Sequence, residues 1–256
     1  MKTVGSGGYG KAKKTIYKEK EAVVKFVNTA GSPQATLATC TINRKDAKLE
    51  GEIQKLFSTK YVAEIYGIEE HAIYMKYYKD GSLRSQIDVG GADKRRFEYA
   101  LDIIRGVKEI HRLDFVHSDI KASNVLVIKN NDLLWCYISD FGVSRKKGTW
   151  PVARTPGFTP VNFFSKPLCF EDDIFSLGKL FLELFGKFKG NEIPKINYGN
   201  FYSYVNWKTF TNNYNESSNY DKCKGVMELV HECINEDSTK RPSLYTLENF
   251  FEKLNN

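Results

Sequence analysis

Nowhere in these 256 residues is there a run of about eighteen apolar residues, so no segment is expected to cross a bilayer as a helix and no membrane partner is expected. The polar opening Met1-Lys2-Thr3 does not look like a secretory leader. Cysteine is sparse: five residues, Cys40, Cys136, Cys169, Cys223 and Cys233, are odd in number and scattered without a C-x-x-C pair. They are expected to be free thiols in a reducing compartment, in the cytoplasm or elsewhere inside a cell. No internal repeat is evident. A formal net charge of +7 is spread over short clusters such as Lys11-Lys13-Lys14 and Arg145-Lys146-Lys147, with no basic stripe interleaved with aromatics. Such clusters read as solvated surface, and no nucleic-acid partner is expected. At 41% hydrophobic content the chain can bury one large core or two packed lobes.

What is present is concentrated in two stretches. His117-Ser118-Asp119-Ile120-Lys121-Ala122-Ser123-Asn124 is followed downstream by Asp140-Phe141-Gly142. Two carboxylates, one ammonium and one amide at these spacings suit Mg-assisted phosphoryl transfer, where positioning and charge neutralisation matter more than covalent help. The pair of motifs resembles the eukaryotic protein kinase family.

Other strings support the resemblance in order. Val4-Gly5-Ser6-Gly7-Gly8-Tyr9-Gly10 is a G-x-G-x-x-G loop, where missing side chains let backbone N–H groups approach phosphates. Alone it would equally describe a hairpin tip or a dinucleotide-binding turn, but the latter needs a helix at once, and Lys11 to Tyr17 holds no helical apolar stripe. Ala22-Val23-Val24-Lys25-Phe26-Val27 instead predicts a strand carrying one lysine. Asp46 to Phe57 predicts a helix, with Leu49, Ile53, Leu56 and Phe57 at helical spacing. Both Glu50 and Glu52 lie on it. The family pairs such a glutamate with the strand lysine and places a core apolar residue one turn later; Leu56 meets that need for Glu52, where Gln54 would not for Glu50. Between Asn28 and Arg44 a loop or short strand extension is expected. His71 to Leu83 resembles the fifth strand and hinge, with Met75 at the back of an adenine pocket. Phe97 to His111, with Leu101, Ile104, Val107 and Ile110, predicts an amphipathic helix leading to the catalytic loop. Thr155 to Pro160, Asp173 to Gly178 and Asp237 to Ser243 resemble the family's segment end, large central helix and C-terminal Arg-Pro motif. Asn197 to Asn219, rich in Tyr, Asn and Ser, is read as a loop insertion.

The resemblance implies an α+β, two-lobed fold over residues 1–256: a small β-rich N-lobe with one main helix (about 1–76), a hinge (about 76–81) and a larger, mostly helical C-lobe (about 82–256). It implies an ATP- and Mg²⁺-dependent enzyme, with Mn²⁺ as a possible substitute, acting on serine or threonine of a protein substrate. Asp119 would take or orient the acceptor proton, and Lys121 would neutralise the γ-phosphate. Asn124 and Asp140 would hold metal. Lys25, held by Glu52, would fix the α/β-phosphates, and Val4, Gly5, Gly7, Gly10, Ala12, Lys76, Tyr78 and Leu126 would complete the nucleotide site. Lys121 two positions after Asp119, and Thr155 placed to contact that pair, match Ser/Thr rather than tyrosine kinases.

Several positions depart from the family. Ser118 replaces the usual arginine, so dependence on activation-segment phosphorylation is not expected, and an activating protein partner becomes an option. Pro160-Val161-Asn162 stands where Ala-Pro-Glu is usual, leaving Arg241 to find Glu171, Asp172 or solvent. Ala12 replaces a valine, at about 0.8 kcal/mol per lost buried methyl. Met1 lies only four residues before Gly5, so a bare catalytic domain is expected. The Asp-Ile-Lys-Ala-Ser-Asn string is similar to vaccinia-related, STE-type and plant receptor-like kinases alike, and the departures suggest a divergent viral, bacterial-effector or parasite enzyme. A pseudokinase that signals by binding, and a small-molecule kinase on the same fold, are the competing readings.

Overall fold

β-Branched and charged residues mix along Lys20–Val27, and this segment becomes β3, the middle strand of a five-stranded antiparallel sheet. The sheet order is β1 (Thr3–Gly7), β2 (Gly10–Tyr17), β3, β5 (Ala72–Lys76) and β4 (Ile65–Glu69). The computed structural model describes residues 3–7, 10–27, 45–57, 60–69, 72–89, 95–130, 133–186, 188–189, 191–205 and 220–255. The expected loop at 28–44, His71 and most of the expected insertion, 206–219, lie outside them. Gly7 pairs with Gly10 and Ala12 with Lys25, so the glycine-rich segment joins β1 to β2 and Ala12 shares a sheet face with Lys25. The helix α1 (Lys45–Leu56) packs on β4 and β5.

Beyond β5 the chain is mostly helical: α2 (Leu83–Asp88), α3 (Arg96–Arg112), α4 (Phe170–Gly186), α5 (Phe201–Tyr204), α6 (Tyr220–Cys233) and α7 (Leu244–Asn255). Two short ribbons intervene, β6 (Phe115–Val116) with β9 (Arg145–Lys146) and β7 (Val125–Asn130) with β8 (Leu133–Ile138). This is the α+β arrangement expected, a β-rich part with one main helix followed by a larger helical part. Within the stretch read as a loop insertion, α5 is an exception: Phe201 is fully buried and anchors one helical turn.

Two helices organise the larger part. On α3 the expected stripe of Leu101, Ile104, Val107 and Ile110 is buried. By contrast α4 is buried on every side from Asp172 to Phe185, so each of its polar side chains needs an internal partner. Ser176 Oγ donates to the Phe158 carbonyl at 2.7 Å, Glu183 accepts the Ala122 N–H at 2.9 Å, and Lys179 reaches the Ile193 and Ile196 carbonyls. The helix thereby grips the loops that carry the site.

Arg241 resolves in favour of Asp172. Its side chain is wholly buried, 3.9 Å from Asp172 Oδ1, and donates to the carbonyls of Asn235 at 2.9 Å and Glu171 at 2.8 Å. Lys166 shares the same carboxylate at 2.7 Å. One acid therefore balances two cations where the Ala-Pro-Glu glutamate is missing.

Asp102, on α3, is a buried acid that accepts the Cys136 N–H of β8 at 3.2 Å. Burial pushes its carboxyl up from 3.8 to about 6, against the pull of the Cys136 N–H, Arg105 and Lys60. Because the folded value lies above the unfolded one, the folded chain holds this proton more tightly. Its contribution to stability is intact below about pH 4 and is lost as pH rises through 6. Asp102→Asn should therefore gain up to about 3 kcal/mol over the native chain between pH 4 and 7. Denaturant midpoints across that range that shift equally in both proteins would contradict the assignment.

Candidate active site

The loop carrying the first motif is held from below by one carboxylate. Asp173, near the start of α4 and without solvent exposure, accepts the His117 N–H at 2.8 Å and the Ser118 N–H at 2.9 Å, and lies 2.9 Å from His111 Nε2. Burial opposes its charge, but His111, His117 and these donors outweigh that and hold its carboxyl below the usual range. The loop is bent hard: Ser118 has φ +67° and Asp140 also φ +67°, a left-handed conformation that non-glycine residues seldom adopt. His117 is fully buried. Its Nδ1 accepts the Asp119 N–H at 3.2 Å while Nε2 faces the Ser139 carbonyl at 3.2 Å, which defines a neutral ring with the proton on Nε2. Burial lowers its basicity accordingly.

Above this base, four side chains from the motifs converge. Lys121 Nζ lies 2.8 Å from Asp119 Oδ2 and donates to Thr155 Oγ1 at 2.7 Å. Thr155 Oγ1 donates to Asp119 Oδ1 at 2.5 Å, and Asn124 Nδ2 donates to Asp119 Oδ2 at 2.7 Å. Thr155 thus makes the contact expected of it. The segment turns two residues later at Gly157, φ +84°, where an added Cβ would fall 2.7 Å from the Pro194 backbone, so only glycine fits.

The second constellation requires a correction. Lys25 Nζ bonds Glu50 Oε1 at 2.7 Å and Asp140 Oδ1 at 2.8 Å; Glu52, expected as its partner, faces solvent and lies 3.8 Å from Lys48. The expectation rested on Leu56 as the core residue one turn on, yet Leu56 is 55% exposed. The buried residue one turn after the pairing glutamate is Gln54, 1% exposed, whose Nε2 donates to the Ala63 carbonyl at 2.7 Å. A hydrogen bond satisfies a polar residue where an apolar one was assumed. Burial opposes the Lys25 charge, but Glu50 and Asp140 outweigh it and raise its pKa above the lysine norm; Asp140, likewise opposed by burial, is held below the carboxylate range by Lys25. Phe57, next after α1, stacks on Phe141 with ring centres 5.2 Å apart, and Phe141 meets His117 edge-on at 4.7 Å. Packed rings thus connect α1 to the loop on Asp173.

The remaining residues expected at a nucleotide are placed as follows. Ala12 sits opposite Lys25 in the sheet, and Leu126, half-buried on β7, bridges to Ser82 just beyond β5. Met75 is buried 3.8 Å from Gln54 Nε2. The Lys76 N–H donates to Glu64, while the buried Tyr78 ring accepts the Glu64 N–H at 3.0 Å on its hydroxyl. Gly5, Gly7 and Gly10 lie in β1 and β2, and Val4 in β1; Gly8 and Tyr9 lie outside the described residues. The donor set suits a hard cation: the Asp140 carboxylate, and Asn124, whose Nδ2 is committed to Asp119 and leaves Oδ1 as an oxygen ligand.

In the segment after Asp140, Ser144 is fully buried and donates to the His117 carbonyl at 3.0 Å. Arg145 donates to the Gly142 and Ser144 carbonyls and Lys146 to that of Leu113, while Lys147 lies over the Phe170 ring. Gln54 had no chemical signal in the sequence beyond its spacing from Glu50.

Comparison with known proteins agrees with this geometry. Residues 1–251 match the protein kinase domain family, and the chain belongs to it. It is 32% identical over 120 residues to eukaryotic translation initiation factor 2-alpha kinase 1 of Plasmodium falciparum, covering 44% of the chain and 8% of that protein. It is 27% identical over 265 residues to the MAP kinase kinase MKK1/SSP32 of Saccharomyces cerevisiae, 94% of the chain and 50% of the relative. To the human serine/threonine-protein kinase Nek5 it is 28% identical over 216 residues, 77% of the chain and 29% of the relative. The chain thus spans half or less of each of these proteins. Members of the family generally use ATP and Mg²⁺.

The two glutamates make a discriminating pair. Glu50→Gln should slow phosphotransfer by about tenfold or more, since the buried Lys25 cation loses one of its two carboxylate partners, whereas Glu52→Gln should change it less than about twofold. Equal effects in an initial-rate assay would place the partner of Lys25 elsewhere.

Proposed function

We propose that this chain is an active ATP- and Mg²⁺-dependent protein kinase that transfers the γ-phosphate to serine or threonine, in a single catalytic domain hinged at residues 76–81. The observation that carries the reading is the joint placement of Asp119, Lys121, Asn124, Asp140 and Lys25, with the Lys25–Glu50 pair closed. A pseudokinase would not need all five polar groups converging. Asn124 and Asp140 would hold Mg²⁺, which would supply charge neutralisation to the phosphates. Asp119, aimed by Asn124, accepts or orients the acceptor proton, a role worth about 10²–10⁴-fold in rate. Lys121 faces the transferred group, and Lys25 places the α/β-phosphates. Adenine would meet the Lys76 carbonyl, because its N–H is spent on Glu64, and the Tyr78 N–H. Thr155 on the Asp119–Lys121 pair supports the Ser/Thr assignment. Four free thiols, Cys136, Cys169, Cys223 and Cys233, support an intracellular setting; Cys40 lies outside the described residues.

Regulation follows from Ser118. The segment from Asp140 to Thr159 is anchored by Ser144, Thr155 and Gly157 without any phosphate, and no arginine stands beside Asp119 to await one. Activity as synthesised, or control by a protein partner, is the consequence.

Asp119→Asn and Lys25→Met should each lower turnover by about two orders of magnitude or more; Asp119→Asn should leave the melting curve unchanged, while Lys25→Met should stay folded but melt lower because Glu50 and Asp140 lose their cation. Phosphoamino-acid analysis should return phosphoserine or phosphothreonine, and phosphotyrosine alone would overturn the acceptor class. Phosphatase-treated protein, confirmed bare at Thr149 and Thr155 by mass spectrometry, should keep its initial rate; a loss of about tenfold, or 1.4 kcal/mol of barrier, would sink the regulatory reading.

A further inference from the structure

Between Phe141 and Phe170 the chain has five cations, Arg145, Lys146, Lys147, Arg154 and Lys166, and not one Asp or Glu. Lys166 is neutralised by Asp172, while Arg145, Lys146 and Lys147 are turned onto carbonyls or rings. Arg154 is different. It is exposed, its guanidinium lies over the Phe164 ring at 5.5 Å, and among the described residues no carboxylate lies within ion-pair distance of it. The next residue is Thr155, whose hydroxyl touches Asp119, so the Arg154 backbone stands one Cα step, about 3.8 Å, from the group that contacts the acceptor's base.

A guanidinium stacked on a ring keeps its N–H edge free, and that edge matches the two oxygens of a carboxylate or phosphate. Ser123, exposed between Lys121 and Asn124 in the loop of Asp119, adds no negative charge that would attract a basic peptide. Arg154 therefore offers an unpaired cation, among the described residues, beside the threonine that contacts Asp119. Extended peptide advances about 3.3 Å per residue, so Arg154 is in reach of side chains within about three positions of the acceptor.

We propose that Arg154 is a specificity-determining residue that selects acceptor peptides carrying an anionic side chain, acidic or already phosphorylated, close to the target serine or threonine. The inference rests on the phosphotransfer reading for its substrate, but peptide binding tests it separately.

Short serine peptides identical except for flanking Glu, phosphoserine, Ala or Lys are compared on phosphatase-treated protein. Transfer is read as kcat/KM, and binding without nucleotide is read by fluorescence anisotropy. The native chain should favour the anionic peptides over the lysine peptide by about tenfold or more in both readouts. The Glu and phosphoserine arms show which anion is preferred. Arg154→Glu should erase or invert that ratio while the alanine peptide changes less than about threefold. Lys253→Glu, on an exposed position of α7, makes the same change in net charge and should leave the ratio intact. A native preference for the lysine peptide, a ratio unmoved by Arg154→Glu, or an equal loss in Lys253→Glu would each overturn the proposal. Selective binding without transfer to any peptide would instead count against the kinase reading alone.

Discussion

Everything at the site depends on one buried carboxylate. Asp173 projects from a helix with no solvent-facing side over most of its length, and its two oxygens take the N–H groups of His117 and Ser118. Those donors lie in a loop that must pass through a left-handed residue, a conformation costing of order 1–3 kcal/mol that persists only where surroundings enforce it. The carboxylate supplies that enforcement, and Asp119 is the next residue along. The hydrophobic burial of α4 is in this way converted into the placement of a polar group.

The same loop is connected to α1 and the sheet both by packing and by charge. His117, Phe141 and Phe57 form a continuous run of rings, while Lys25 bonds Glu50 on α1 and Asp140 beside Phe141. Two independent couplings, one dispersive and one ionic, therefore hold α1 to the loops of Asp119 and Asp140. The ionic one is worth little as net stability because both partners are desolvated, but removing either leaves a buried charge uncompensated.

Much of this was legible in the sequence because the chemistry needs particular residue types at short spacings. Asp119, Lys121 and Asn124 bond one another, Lys25 bonds Asp140, and the α3 stripe follows helical period. The reading failed where it relied on hydrophobicity to choose between neighbours. Glu52 was favoured because Leu56 is apolar and Gln54 is not, yet the helix buries the glutamine and exposes the leucine. Period alone puts Glu50, Ile53, Gln54 and Phe57 on one face, and only the Ala63 carbonyl, distant in sequence, explains why a polar residue belongs there. For Arg241 the sequence offers Glu171, Asp172 or solvent, and Asp172 is the one found; that it is shared with Lys166 is a three-body arrangement that no local pattern encodes. The helical turn at Phe201 was hidden by the polar residues around it.

Gln54 also changes what kind of joint α1 makes with the sheet. Apolar contacts weaken gradually as surfaces slide, so a helix seated on them can drift through a range of tilts. A hydrogen bond is directional and weakens steeply once misaligned. Seated through Gln54 Nε2 on the Ala63 carbonyl, with Gln54 Oε1 buried and without a partner among the described residues, the helix has one well-defined position and a polar penalty for small departures from it. The joint behaves as a latch, engaged or released, where a greasy contact would have behaved as a bearing.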